Sequence, residues 1–203
     1  ERSRGLGDVY NRQGIHGMVK AGDMLINVSS SLLGEFNAEN ILCAVSIAIS
    51  LGINPDIIQN GIKNCPTISG RMESFQLKNG ASVIVDYAHT TDAYTKVLST
   101  IHQMKIPEGK MNIVFGCGGD RDTTKRSEMG RIAEQFGDQL WITTDNPRSE
   151  EINEINDQIL TGLSDINHRV FEDRSIGLNA ALAALNKEDI LVVLGKGRET
   201  YQE

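Results

Sequence analysis

Beyond residue 80 the chain alternates between two hydrophobic periods, and that alternation limits its fold more than any other feature. Short runs of apolar, largely β-branched residues recur at Val83-Ile84-Val85, Ile113-Val114-Phe115, Leu140-Trp141-Ile142, Val170-Phe171 and Leu191-Val192-Val193-Leu194. Between them lie helical patterns around residues 93–104, 129–136, 152–163 and 176–185. Continuous apolar runs suit strands covered on both faces, and strands joined through helices pair in parallel. The expected fold is therefore α/β: a Rossmann-like, mostly parallel sheet with helices on both faces. Residues 72–77 and 81–86 flank Asn79-Gly80, a tight-hairpin signal, so one antiparallel strand is expected at its start.

The first seventy residues read differently. Residues 5–35 are rich in Gly and Ser with short apolar runs such as Met24-Leu25-Ile26, which indicates small strands and turns. Asn37 is expected to cap a helix that carries Ile41, Leu42, Val45 and Ile49 and ends at Gly52. Asn54-Pro55-Asp56 opens a second helix, with proline in the first turn where it is tolerated. Cys65-Pro66-Thr67-Ile68-Ser69-Gly70 reads as a linker. The expected domains are 1–70 and 71–203.

Composition removes several classes of function. With 39% hydrophobic and 23% charged residues over 203 positions, the chain can bury a real core. Its charge, 20 − 27 = −7, opposes non-specific binding to nucleic acid or anionic membranes, so neither is an expected partner. The longest apolar stretch, 41–53, is broken by serines and falls short of the ~20 residues that a bilayer span needs. Cys43, Cys65 and Cys117 are dispersed and odd in number, which suits a reducing compartment; the cytoplasm is expected. The histidines have no metal-ligand spacing, and no metal-binding residue is expected. No signal peptide is visible, and an opening of Glu1-Arg2-Ser3-Arg4 without Met leads us to expect a piece of a longer protein.

In parallel sheets ligands bind at the carboxyl ends of the strands, and the distinctive residues fall there. They are Asp86-Tyr87-Ala88-His89-Thr90, Gly116-Cys117-Gly118-Gly119-Asp120-Arg121-Asp122, Asp145-Asn146-Pro147-Arg148, Asp173-Arg174 and Gly195-Lys196-Gly197-Arg198-Glu199. Seven of the 20 basic residues, Arg121, Lys125, Arg126, Arg148, Arg174, Lys196 and Arg198, lie near this rim, so a basic mouth attracting carboxylates or phosphates is expected. The glycine loop at 116–119 can cradle a phosphate, yet Arg121 occupies the third glycine's place of a dinucleotide loop. A plain strand-to-helix turn remains the alternative. Arg148 suits bidentate recognition of a carboxylate, Pro147 fixes φ beside it, and a solvated helix start is the other reading. No Gly-x-x-x-x-Gly-Lys-[Ser/Thr] occurs in the chain. His89 at a strand end and Asn37 with Asn40 at a helix start admit ordinary structural roles.

Taken in order, these motifs resemble the Mur ligase family, in particular the members that add meso-diaminopimelate to UDP-N-acetylmuramoyl-L-alanyl-D-glutamate. The matching run is Phe36-Asn37-x-x-Asn40, Gly70-Arg71-Met72-Glu73, Asp86 to Thr90, Gly116 to Asp122 with Lys125-Arg126, Asp145 to Arg148, and Gly195-Lys196-Gly197-x-Glu199-x-Tyr201-Gln202. The resemblance implies the end of a central ATPase domain followed by most of a C-terminal domain, with ATP bound between them. It places Asn37, Asn40, Arg71, Asp86 and His89 at nucleotide contacts, Arg71 near phosphate and Asp86 near ribose. It places diaminopimelate at Arg121, Asp145, Asn146, Pro147, Arg148, Gly195 and Glu199.

The implied reaction uses ATP and Mg2+ to phosphorylate the carboxylate of the UDP-muramoyl dipeptide, after which the amino acid's amine displaces phosphate. Its phosphate-binding loop, modified lysine and most magnesium ligands are expected upstream. No catalytic residue is therefore expected in these 203 residues, and alone they are expected not to form the amide. Thr91 stands where the family usually has proline, and Arg198 where it commonly has histidine. A lysine-adding relative, a folylpolyglutamate-type ligase and a stand-alone binding module are the competing readings.

Overall fold

The computed structural model describes residues 10–11, 14–165 and 167–199 and divides the chain into two compact units, 1–67 and 68–203. Tyr201 and Gln202 lie outside the described residues. In the first unit, β1 (Tyr10–Asn11), β2 (Gly14–Ala21) and β3 (Met24–Ser30) form an antiparallel sheet in that order. Helices α1 (Glu35–Ser50) and α2 (Pro55–Lys63) follow. Ile15, Val19, Ile26 and Val28 from the strands pack with Ile41, Val45 and Ile58 from the helices, which is why the apolar residues alternate in the strands and recur at helical spacing afterwards.

Asn54-Pro55-Asp56 opens α2 as expected, and the Asn54 side chain caps it, accepting from Asp56 N at 2.8 Å. Asn37 does not cap α1. The helix starts two residues earlier, with Gly34 in the capping position, and Asn37 is a buried residue of the first turn. Its amide turns back to donate to the Leu33 carbonyl at 2.8 Å. Gly52, at φ 72°, supplies the left-handed residue after the helix end.

The second unit is built on a six-stranded sheet in the order β4-β5-β9-β6-β7-β8. The strands are β4 (Glu73–Gln76), β5 (Ser82–Asp86), β6 (Met111–Phe115), β7 (Gln139–Thr143), β8 (His168–Phe171) and β9 (Ile190–Leu194). β4 pairs antiparallel with β5 from Glu73↔Val85 to Gln76↔Ser82; the remaining pairs are parallel. The helices are α3 (Thr91–Met104), α4 (Thr124–Phe136), α5 (Ile152–Leu160) and α6 (Arg174–Ala183). α3 packs on α4 and α4 on α5, with α4 also touching β7, while α6 packs against β6, β7 and β8.

The two sheet faces bury alternate strand residues. Val83, Val114, Trp141, Leu191 and Val193 join Ala181 and Leu185 beneath α6. On the α3 side Phe115 meets the Tyr94 ring edge-on at 5.9 Å. Every residue of β6 and β9 is buried, each large aliphatic side chain stabilising the sheet by roughly 1.5–3 kcal/mol. The chain passes from β5 over the place of β9 to β6, and fills that place only at the end. The loops after β5, β6, β7 and β9 consequently converge at one end of the sheet.

Candidate active site

Those four loops enclose a cavity of about 580 Å3, lined wholly by residues 87–199. Six of the seven residues expected for an amino-acid substrate face it: Arg121, Asp145, Asn146, Arg148, Gly195 and Glu199. Pro147 does not line it and acts through its backbone instead.

The loops after β6 and β7 interlock. Gly119 N donates to the Asn146 carbonyl at 2.8 Å, and Arg148 Nη1 donates back to the Gly119 carbonyl at 2.7 Å. Ser149 Oγ donates to Asp120 Oδ1 at 2.6 Å. A Cβ on Gly119 would run into the Pro147 carbonyl, so only glycine allows this approach. Asp120 and Arg148 sit at φ 51° and 52°. Such left-handed backbone costs on the order of 1–3 kcal/mol and persists where surrounding bonds over-determine it.

Beneath this interlock lies Arg126, fully buried on α4. Its Nη1 bonds Glu150 Oε2 at 2.7 Å and Gln158 Oε1 at 2.9 Å; its Nη2 bonds Glu150 Oε1 at 2.9 Å and the Gly118 carbonyl at 3.0 Å. A buried guanidinium requires such pairing, which the two Nη atoms find, while the buried Nε has no hydrogen-bond partner among the described residues. Arg126 and the Asp120 N–H together pull the Glu150 carboxyl from its ordinary 4.5 down to about 2. A depressed folded value stabilises the fold above about 4.5 and loses that contribution as pH falls towards 2. Thermal melts between pH 4.5 and 2 should fall steeply for the native chain. For Glu150→Gln the dependence should be shallower, from a lower starting point at neutral pH.

The expected basic mouth is in the fold a mouth of mixed charge, because several of the basic side chains turn away from it. Arg126 serves Glu150, and Arg174 reaches Thr143 Oγ1 at 3.0 Å and the Leu194 carbonyl at 2.9 Å, tying β7 to β9. Arg198 forks onto Glu73 at 3.1 and 2.6 Å, with its guanidinium 5.8 Å from the Phe75 ring. Lys196 is buried, donating to Asn146 Oδ1 at 2.7 Å and standing 3.3 Å from Glu199 Oε2. Strand-end position predicts proximity to the mouth, but these side chains turn to internal acceptors. The cations that line the cavity are Arg121, Lys125 and Arg148, facing the carboxylates of Asp145 and Glu199. Arg121 is exposed and has no hydrogen bond or ion pair among the described residues. Both signs at one site suit a ligand head that is itself a zwitterion.

The residues expected at nucleotide contacts are distributed as follows. Asn37 and Asn40 belong to the first unit, Asn40 Nδ2 donating to Asn37 Oδ1 at 3.2 Å. In the second unit, Asp86 is buried, and its two carboxylate oxygens accept from Met72 N and Ala88 N, each at 2.8 Å. Burial pushes its pKa up despite those bonds. It shapes the turns that carry Arg71 and His89. Arg71 is exposed over the Tyr87 ring, and exposed His89 lines the cavity with Nδ1 2.9 Å from the Tyr87 carbonyl. Thr91 begins α3 behind a Thr90 cap and has no part in the cavity. Sequence reasoning missed Arg126 and Glu150 as the clamp of the site. It also missed Tyr87, whose hydroxyl donates to Glu199 Oε1 at 2.7 Å.

Residues 70–197, well over half of the chain, match the profile described as Mur ligase, glutamate ligase domain. The chain belongs to the Mur ligase family. It is 40% identical over 196 residues to the UDP-N-acetylmuramoyl-L-alanyl-D-glutamate--2,6-diaminopimelate ligase of Nostoc sp. (strain PCC 7120 / SAG 25.82 / UTEX 2576), covering 95% of this chain and 39% of that protein. The ligase of the same name from Clostridioides difficile (strain 630) is 43% identical over 171 residues, 83% of this chain and 35% of the relative. The chain thus spans well under half the length of these relatives. A solved structure of a ligase with that name aligns at TM-score 0.67 and 32% identity, over 96% of this chain and 40% of that one. A folylpolyglutamate synthase from Thermotoga maritima aligns at TM-score 0.71 with 20% identity over 92% of this chain and 42% of its own, a likeness of fold alone. This Mur ligase chain therefore shares its α/β architecture with both solved structures, and its sequence is similar to the proteins named 2,6-diaminopimelate ligase.

Among the described residues no helix is long and apolar enough to cross a membrane, and no three His, Cys, Asp or Glu side chains gather as metal ligands.

Proposed function

We propose that the second unit is the amino-acid-binding end of an ATP-dependent amide ligase that adds meso-diaminopimelate to UDP-N-acetylmuramoyl-L-alanyl-D-glutamate in peptidoglycan synthesis. The supporting observation is a single cavity lined by Arg121 and Arg148 together with Glu199 and Gly195. Meso-diaminopimelate ends in a second amino-acid head, a carboxylate with an ammonium. In this reading the arginines pair its carboxylate, while Glu199 and the Gly195 carbonyl hold its ammonium. Lysine offers only the ammonium and brings no distal carboxylate for the arginines to pair. The first unit is the end of an ATP-binding domain on the same reading, with Asn37 and Asn40 retained as nucleotide contacts on the resemblance alone.

Arg71, Asp86 and His89 are the proposed ATP contacts of the second unit. ATP supplies the phosphoryl group: a dipeptide carboxylate oxygen attacks the γ-phosphorus and ADP leaves. The free amine of the anchored amino acid then attacks the acyl carbon, phosphate departs, and the amine nitrogen loses its proton. Mg2+ would offset the phosphate charge during that transfer, and no cluster of His, Cys, Asp or Glu that could hold it lies among the described residues. Holding the distal head fixes the reacting amine relative to the acyl phosphate, the positional contribution this chain makes. The test is ADP release by the full-length enzyme carrying these residues, with the UDP-muramoyl dipeptide and either amino acid. Turnover with meso-diaminopimelate and little with lysine is expected; preference for lysine would overturn the substrate assignment.

A further inference from the structure

Tyr87 stands where two sets of side chains meet. The Arg71 guanidinium lies over its ring at 5.0 Å from the centroid, and His89 meets the ring edge-on at 5.2 Å. Its hydroxyl donates to Glu199 Oε1 at 2.7 Å. Gly197 lies against the ring so closely that a Cβ there would come within 3.0 Å of Tyr87 Cδ2. Tyr87 thus touches both the proposed nucleotide contacts and the carboxylate proposed to hold the distal ammonium. Arg71 itself does not line the cavity.

We propose that Tyr87 is a positioning residue that aims the Glu199 carboxylate at the substrate's distal ammonium and ties that carboxylate to Arg71. The hydroxyl holds one carboxylate oxygen, leaving the other on the Lys196 side, 3.3 Å from Nζ. A cation over the ring draws electron density from the phenol and makes its hydroxyl a stronger donor. The groups that act on Glu199 are Tyr87, Lys196 and Arg148, with Asp145 Oδ1 4.0 Å from Lys196 Nζ. The Tyr87 hydrogen bond is the foremost reason the Glu199 pKa lies below its ordinary value, so the carboxylate stays ionised into mild acid.

This inference rests on the amino-acid reading of the cavity, and one experiment separates the two. Binding of meso-diaminopimelate to the 203-residue chain is followed by calorimetry for wild type, Tyr87→Phe, Arg71→Ala and the double variant, at several pH values. Tyr87→Phe keeps the ring and removes only the hydroxyl, the donor of a hydrogen bond to a charged group, and should weaken binding about tenfold. It should also move the acid limb of binding upward, towards the ordinary carboxylate range. Arg71→Ala should weaken binding in the wild-type background and have no further effect in the Tyr87→Phe background, the signature of coupled residues. Wild-type binding matched by Tyr87→Phe at every pH would overturn the role of Tyr87 alone. Additive losses would overturn the tie to Arg71. No binding by the wild type would overturn the amino-acid reading and this inference together.

Discussion

Arg148→Ala should abolish most of the discrimination between meso-diaminopimelate and lysine. Arg148 is held at φ 52° with Nη1 on the Gly119 carbonyl, so its guanidinium is fixed before a ligand arrives. Removing one partner of a charge pair that is buried in the complex costs roughly 2–5 kcal/mol, and for half-buried Arg148 the lower end, about 30-fold in affinity, is expected. That loss falls on meso-diaminopimelate, whose distal carboxylate Arg148 would pair. Lysine has no such group, so its affinity should change little. Competition binding measures both ligands at once. A uniform small loss for both amino acids would show that Arg148 only shapes the loop.

Arg126→Met should have the largest effect on stability. The substitution leaves Glu150 with only the Asp120 N–H, and takes from the Gly118 carbonyl and Gln158 the guanidinium that bonds them. Breaking a buried pair from one side costs about 3 kcal/mol, at the lower end of the usual range because Glu150 retains some contact with solvent. For a unit of this size the midpoint of thermal unfolding should fall by about 10 °C. Arg126→Lys keeps the charge but has no fork to span both carboxylate oxygens, and should lie between. A midpoint within about 2 °C of the native one for Arg126→Met would mean that the pair contributes little beyond packing.

These two arginines mark the limit of what the sequence makes legible. The sheet and its helices follow from the hydrophobic periods, and the β4–β5 hairpin from Asn79-Gly80, because those signals are local. The cavity's position follows too, since loops at strand ends must gather at one edge. Arg126 and Arg148 both lie near that edge, but one turns inward and the other outward. The inward turn of Arg126 depends on Glu150, 24 residues away, on the next loop. Arg198 likewise leaves the cavity because Glu73, 125 residues earlier, offers a fork for its guanidinium. Tyr87 falls in a strand-end motif, but its role is not legible there for the same reason, as its partners are Arg71 and Glu199. The start of α1 differs from the sequence expectation because Asn37 has the composition of a cap, while its amide finds the Leu33 carbonyl from inside the first turn.

The central claim is that one cavity of mixed charge recognises an amino-acid head bearing both carboxylate and ammonium. It is tested most directly by nuclear magnetic resonance titration of the 203-residue chain with meso-diaminopimelate and, separately, lysine. Saturable shifts centred on Arg121, Arg148, Gly195 and Glu199, appearing at far lower concentration for meso-diaminopimelate, are the predicted result. Equal response to the two amino acids, or shifts centred elsewhere on the chain, would contradict it.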